Sequence, residues 1–164
     1  MLTQTSELAV NVLLFLGLRG RDEGLVGPRE IAEAIGTSPT YTSKVCGQLA
    51  KMNILRAQRG PSGGVFLSRK PENLTLLEVV EACQGKILAD YCEEVTDKRG
   101  VCAYHLTMVD LHNAITGVLS KCTLADLMAR PKPTTAAAVE GHCRITKGWS
   151  ALQDYLDGKV AAKD

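Results

Sequence analysis

Apolar positions crowd the first turns of this chain. From Ser6 to about Leu18 they are dense enough for a mostly buried helix. Within it, LAVNVLLFLGL (Leu8 to Leu18) is interrupted by Asn11 before RGRDEG ends the helix with charge and glycine. GPREIAEAIG predicts a short second helix, with Pro28 near its first turn and Gly36 as its stop. After a brief gap, TSPTYTSKVCGQLAKMN spaces Tyr41, Val45, Leu49 and Met52 by steps of three and four, with Ser38 or Thr40 available as the cap. Two short helices joined by a tight turn fit a helix-turn-helix.

The pattern then changes period. In ILRAQRGPSGGVFLSR two β-favouring runs, Ile54 to Gln58 and Val65 to Ser68, flank a Gly and Pro loop. This predicts a hairpin, and behind a helix-turn-helix a hairpin is a wing. NLTLLEVVEACQG predicts another helix, with Thr75 as cap and Glu78 three residues on in capping-box spacing. Residues 86 to 101 are charged and irregular. From Cys102 to about Ser120 a long helix is predicted. Along it Val101, Tyr104, Met108, Leu111, Ile115, Val118 and Cys122 alternate steps of three and four, a seam suited to a partner helix. A seam this long on a small domain is more readily explained by a dimer than by an intrachain neighbour. TLADLM makes one further short helix, RPKPTTAAA has the composition of a linker, and ITKGWSALQDYLDGK reads as a terminal helix carrying Trp149, Leu152 and Leu156.

The resulting fold class is mainly α with a small β-hairpin. A winged helix-turn-helix domain is expected over residues 1–85, a sensory loop and dimerisation helix over 86–130, and a linker with a C-terminal extension over 131–164.

Composition narrows the setting. A chain of 164 residues with 45% hydrophobic and 23% charged positions is that of an ordinary soluble globular protein. The longest apolar run is about half of the roughly 20 residues a membrane span needs. MLTQTSE carries an acid where a signal peptide has a basic region, so a cytoplasmic location is expected. In reducing cytosol, six cysteines point to metal ligation, redox sensing or plain burial rather than a disulfide framework. The net charge of +1 is unevenly divided. Residues 1 to 70 hold nine Lys or Arg against five Asp or Glu, and residues 71 to 164 hold ten against thirteen. A basic N-terminal part beside an acidic remainder indicates that the first part meets a polyanion.

The winged helix supplies the readers for one. A recognition helix in the major groove needs short polar side chains and a few cations near its N-terminus, which Ser38, Thr40, Tyr41, Thr42 and Lys44 provide. Arg59 at the start of the wing is placed to enter a minor groove or meet phosphates. Ser62 and the glycines at 60, 63 and 64 let the backbone come close to DNA. Arg56 and Lys51 reach phosphate only, which adds salt-dependent affinity without sequence information. Tyr41 fits equally an aromatic anchor of the helix-turn-helix core, the glycines fit turn geometry, and Cys46, Cys83 and Cys122 fit small buried residues.

RGPSGG behind TYTSKVCGQLAKMNIL resembles the IscR and NsrR type of bacterial regulators, the winged-helix Rrf-two family. The resemblance runs from MLTQTSELAV through CTLADLM, about residues 1 to 128, and takes in LTLLEVVEACQG; no counterpart is placed for the chain after Pro131. In cluster-binding members, three cysteines in the loop and at the start of the dimer helix hold a 2Fe-2S or 4Fe-4S cluster with a fourth ligand from elsewhere. CAYH, with Cys102 and His105, looks like the family's final cysteine and the histidine that follows it, and Cys92 looks like the first. The intervening EEVTDKRGV holds no cysteine, so the middle ligand of the pattern is missing. LTQTSELA resembles the family's N-terminal stretch, in which an acid at the place of Glu7 can be a ligand, sometimes from the partner subunit.

The implied ligand set is therefore Cys92, Cys102, His105 and Glu7. Two thiolates with nitrogen and oxygen ligands suit a 2Fe-2S cluster better than a 4Fe-4S cluster, since non-thiolate ligands can terminate one iron as histidines do in Rieske centres. The same donors would serve zinc. Cys102 begins a helix, where the macrodipole favours a thiolate, and His105 shares its face one turn on. Each residue also has a plainer role open to it: Glu7 as a first-turn acid, His105 as a cap or surface partner, and Cys92 and Cys102 as idle thiols. His112 and the GHC at 141 to 143 are incidental to this pattern.

The expectation is a homodimeric transcription regulator, a repressor, that binds a palindromic DNA site and reads redox, iron-sulfur or nitric oxide status through a cluster. A cluster-free thiol, disulfide or partner-protein switch keeps the same DNA-binding head. A thiol oxidoreductase is the rival from another class, but no C-x-x-C pair, nucleotide loop or paired-carboxylate cleft supports an enzyme.

Overall fold

Helix α1, Gln4–Arg19, is the spine of the molecule, and its residues from Leu8 to Leu16 are nearly all buried. Thr3 caps it, its hydroxyl accepting from the Ser6 amide at 3.2 Å. At the far end Arg19 bonds both Glu23 (3.1 Å) and Glu30 (2.8 Å), tying α1 to the first turn of the next helix. The computed structural model describes residues 2–20, 23–60, 63–87 and 100–129.

Against α1 pack α3 (Pro39–Lys51) and α4 (Leu76–Gln84), with α2 (Pro28–Ala34) on α3. Helix α2 is Pro28–Ala34, with Pro28 in the first turn where its missing amide costs nothing. Helix α3 is Pro39–Lys51 and buries Thr42, Val45, Cys46 and Leu49. Ser38 stands at its N-cap position but its side chain makes no capping bond; its carbonyl accepts from the Thr42 amide at 2.9 Å. Strands β1 (Leu55–Gln58) and β2 (Gly64–Leu67) form the antiparallel hairpin, in the register Leu55 to Leu67 and Gln58 to Gly64. Val26, just before α2, bridges to Val65 through amide and carbonyl bonds of 3.3 and 2.9 Å, so the wing is anchored to the helix-turn-helix on its inner edge.

A short 3-10 turn, Pro71–Asn73, leads to α4, Leu76–Gln84, and then α5, Ala103–Leu119, and α6, Leu124–Ala129. The chain closes with a clasp: the Leu76 amide donates to the Cys122 carbonyl and the Leu124 amide to the Leu74 carbonyl, both at 2.8 Å. Leu124 is buried, and α6 lies on α1, with Met128 over Gly17. Helix α5 is different in kind. None of its residues is buried, and among the described elements its principal neighbour is α4.

The capping box expected at α4 is formed in both directions. The Thr75 hydroxyl accepts from the Glu78 amide at 3.3 Å and the Glu78 carboxylate accepts from the Thr75 amide at 3.0 Å. Burial pushes the Glu78 carboxyl up, but the bonds from the Thr75 amide, Arg69 and the Thr75 hydroxyl outweigh it and hold it below its ordinary value. A depressed carboxyl stabilises the fold above the ordinary carboxylate range, and that share is lost as pH falls through the lowered value. Thr75→Ala is expected to cost ~1 kcal/mol in chemical denaturation at neutral pH. It should also flatten the acid limb of the stability profile, and an unchanged limb would count against this account.

Candidate nucleic-acid interface and sensory site

Helix α3 presents a polar outer face. Ser38, Thr40 and Lys44 are exposed, and Ser43, Gly47 and Lys51 join them on the same side at steps of three and four. Ser43 was absent from the expected readers, although its spacing from Thr40 and Gly47 marks this face. Thr42 is a correction. It is 0% exposed, because one residue's rotation along the helix turns its side chain into the core beside Val45 and Cys46. It cannot touch a base without unfolding the helix.

Tyr41 is half-buried against the core and its hydroxyl meets that of Thr5 at 2.9 Å, which makes it an anchor between α3 and α1. Arg56, Ala57, Gln58 and Arg59 are all exposed along the outer side of the wing. Gly63 donates its amide to the Gly60 carbonyl at 2.9 Å, and a Cβ on it would collide with the Gln58 carbonyl oxygen. The wing tip therefore needs glycine there for its turn. Ser62 lies outside the described residues.

At the sensory end, Cys102 is exposed at the N-cap of α5 and makes no capping bond through its side chain. His105, one turn later, has its Nε2 buried with no hydrogen-bond partner. An orphaned imidazole nitrogen one turn from an open thiol fits two adjacent donors of a metal or cluster. Glu7, in the first turn of α1, does not complete the set within one chain: among the described residues no three His, Cys, Asp or Glu gather as a metal site. Cys92 and the whole 88–99 stretch lie outside the described residues, as does the chain from 130 to 164. His112, outside the ligand pattern, has a structural bond: its Nδ1 meets the Ile87 carbonyl at 2.8 Å.

The other described cysteines are poor sensors. Burial pushes the Cys46 and Cys83 thiols up to about 11, and burial with the nearby Asp126 raises Cys122, so these groups stay protonated.

Beside the seam runs an apolar groove of about 580 Å³ lined by Leu2, Ile87, Leu111, Ile115 and Val118. Tyr104 is 63% exposed, Leu111 44% and Val118 69%, an apolar stripe along one side of α5.

The family model described as an iron-dependent transcriptional regulator, Rrf2, matches residues 2–130. This chain belongs to the Rrf2 family. A putative HTH-type transcriptional regulator, ORF2, of Azotobacter vinelandii is 32% identical over 131 residues, 79% of each chain. The HTH-type transcriptional regulator IscR of Salmonella agona is 26% identical over 163 residues, 98% of this chain and 99% of that one. Similarity thus continues through the segment after Pro131, for which no counterpart was expected. Among solved structures, CymR, the global cysteine regulator of B. subtilis, superposes with a TM-score of 0.64 at 21% identity, covering 79% of this chain and 96% of that one. The winged-helix architecture is therefore that of Rrf2 regulators. The protein is a DNA-binding transcriptional regulator and not an enzyme. Among its described residues no helix is long and apolar enough to cross a membrane.

Proposed function

We propose that this Rrf2 protein is a cytoplasmic homodimeric repressor that occupies a palindromic operator. Residues 1–85 form the DNA-binding head, residues 86–130 the sensory and dimerising part, and residues 131–164 a linker and extension. The observation that carries the reading is the polar face of α3, with Ser38, Thr40, Ser43 and Lys44, together with the exposed Arg59 wing. The helix reads the major groove, while Arg59, Ser62 and Gly63 meet the backbone or minor groove. Dimerisation is supported by α5, whose Tyr104, Leu111 and Val118 expose a stripe next to an apolar groove. A second copy laid against that stripe buries it and places two heads on two half-sites.

The sensory input is an iron-sulfur cluster, 2Fe-2S, held by Cys92, Cys102 and His105 of one subunit and Glu7 of the other. The buried, unpartnered Nε2 of His105 one helical turn after the exposed Cys102 supports this set, and Glu7 is assigned to the other subunit because no three such donors gather among the described residues of one chain. When bound, the cluster supplies a redox-sensitive and nitric-oxide-sensitive link between the two subunits. This chain's residues hold it, and the N-terminal turn carrying Glu7 feels its loss.

A second reading rests on the exposed Cys102 alone: oxidation with Cys92 to a disulfide, without iron. His105→Ala separates the two, since it removes an imidazole ligand yet leaves both thiols.

The DNA contact is tested with a duplex enriched from random sequences by the protein. Lys44→Ala is expected to lower the slope of log affinity against log salt by about two, the loss of one neutralised phosphate per subunit of the dimer. Wild-type protein that enriches no duplex, or a slope unmoved by the substitution, would remove α3 from the interface.

A further inference from the structure

The first turn of α1 is bonded in two directions at once. On one side, Gln84 at the end of α4 accepts the Ser6 hydroxyl at 2.9 Å and the Thr3 amide at 3.2 Å through a single Oε1. On the other, the Thr5 hydroxyl meets that of Tyr41, in the recognition helix, at 2.9 Å. Three residues past Gln84, the Ile87 carbonyl is held by His112 of α5. Ser6 is fully buried, and its hydroxyl also meets that of Thr3 at 3.0 Å. A buried polar group whose one partner outside its own helix end is a side chain of another helix helps to specify the relative position of the two.

We propose that Thr3, Thr5 and Ser6 form a polar joint that transmits the state of the sensory part to the recognition helix, with Gln84 as its input and Tyr41 as its output. This rests on the reading of residues 86–130 as the sensor. The input end stands where α4 hands the chain to the 88–99 stretch, and α5 is fastened to that same point by His112. A shift of the α4 terminus or of the turn carrying Glu7 moves Thr5, and Thr5 moves Tyr41, which sits three residues before Lys44. Helix α1 is rigid along its buried length, so displacement at its first turn is passed on as a tilt rather than absorbed. These are positioning residues: none is assigned to touch DNA through this joint, and their effect is on the difference between two states.

The test uses the full-length protein and the duplex enriched from random sequences. Affinity is measured for protein purified without oxygen and for the same preparation after treatment with hydrogen peroxide, and the ratio of the two affinities is the readout. Thr5→Val and Gln84→Met, each close to the native shape, are expected to move that ratio toward one by up to about fivefold, the equilibrium equivalent of one neutral hydrogen bond. The double variant should go no further than either single, because both break one path. Gln84→Glu keeps an oxygen that accepts both bonds and should keep the wild-type ratio. Ratios equal to wild type in both single variants, or losses that multiply in the double, overturn the joint. A wild-type ratio of one overturns the sensory reading itself, and is seen before any substitution is made.

Discussion

Cys102→Ser protein purified without oxygen is expected to contain no stoichiometric iron or sulfide, to lack visible absorption, and to bind DNA with one affinity in every redox state. The reason is chemical rather than architectural. A serine hydroxyl stays protonated at neutral pH and is a poor ligand for iron, whereas the substitution changes one exposed atom at a helix N-cap where the native thiol makes no capping bond. The helix should therefore persist, with serine an equal or better cap, and circular dichroism should be unchanged. Wild-type protein prepared in parallel should show iron, sulfide and a visible band. His105→Ala should lose the band too, while leaving any thiol-based response intact. A serine variant with the wild-type spectrum would take Cys102 out of the ligand set. A wild-type protein without iron whose DNA affinity still responds to oxidant would establish the disulfide reading.

The largest loss of stability is expected from Gly64→Ala, at the start of β2 beside the wing loop. A Cβ there would lie 2.6 Å from the carbonyl carbon and oxygen of Val26 and 2.7 Å from its nitrogen, so backbone rather than a flexible side chain has to yield. That backbone is the strand-like partner of Val65, and separating the two breaks both bonds of the bridge between the wing and the start of α2. Overpacking of this kind costs ~1 to 3 kcal/mol, and two strained hydrogen bonds take it to the upper end. Denaturant midpoints should fall accordingly. DNA affinity should fall with them even at temperatures where the variant is folded, because the wing no longer sits at a fixed angle to α3. Wild-type affinity in a folded variant would show that the angle of the wing does not matter.

Most of the architecture was legible in the sequence because each element carries both a periodic pattern and a punctuation mark. Pro28 opens α2, Thr75 with Glu78 opens α4, and the Gly and Pro loop separates strands whose alternation is too brief to read alone. The reading of α3 failed at Thr42 for a physical reason. A helix places neighbours 100° apart, so a run of polar residues cannot all face outward, and a small hydroxyl at an inward position has no signature that distinguishes it from its exposed neighbours. The same geometry would have found Ser43. Tyr41 stayed open because its partner, Thr5, is far away in sequence and no local pattern couples them. Cys102, His105 and Glu7 came from the family resemblance, and whether such donors gather within one chain is a matter of tertiary placement that only coordinates give.

The clasp between residues 74–76 and 122–124 has a consequence for how such a protein diversifies. It closes the head on itself on either side of everything that lies between Gln84 and Cys102, and α5 leans on α4 without burying a single residue. The two bonds of the clasp do not run through that stretch, and lengthening it twofold would cost only ~0.6 kcal/mol in closure entropy. A lineage can change that stretch, cysteines included, and keep the bonds that close its reader of DNA.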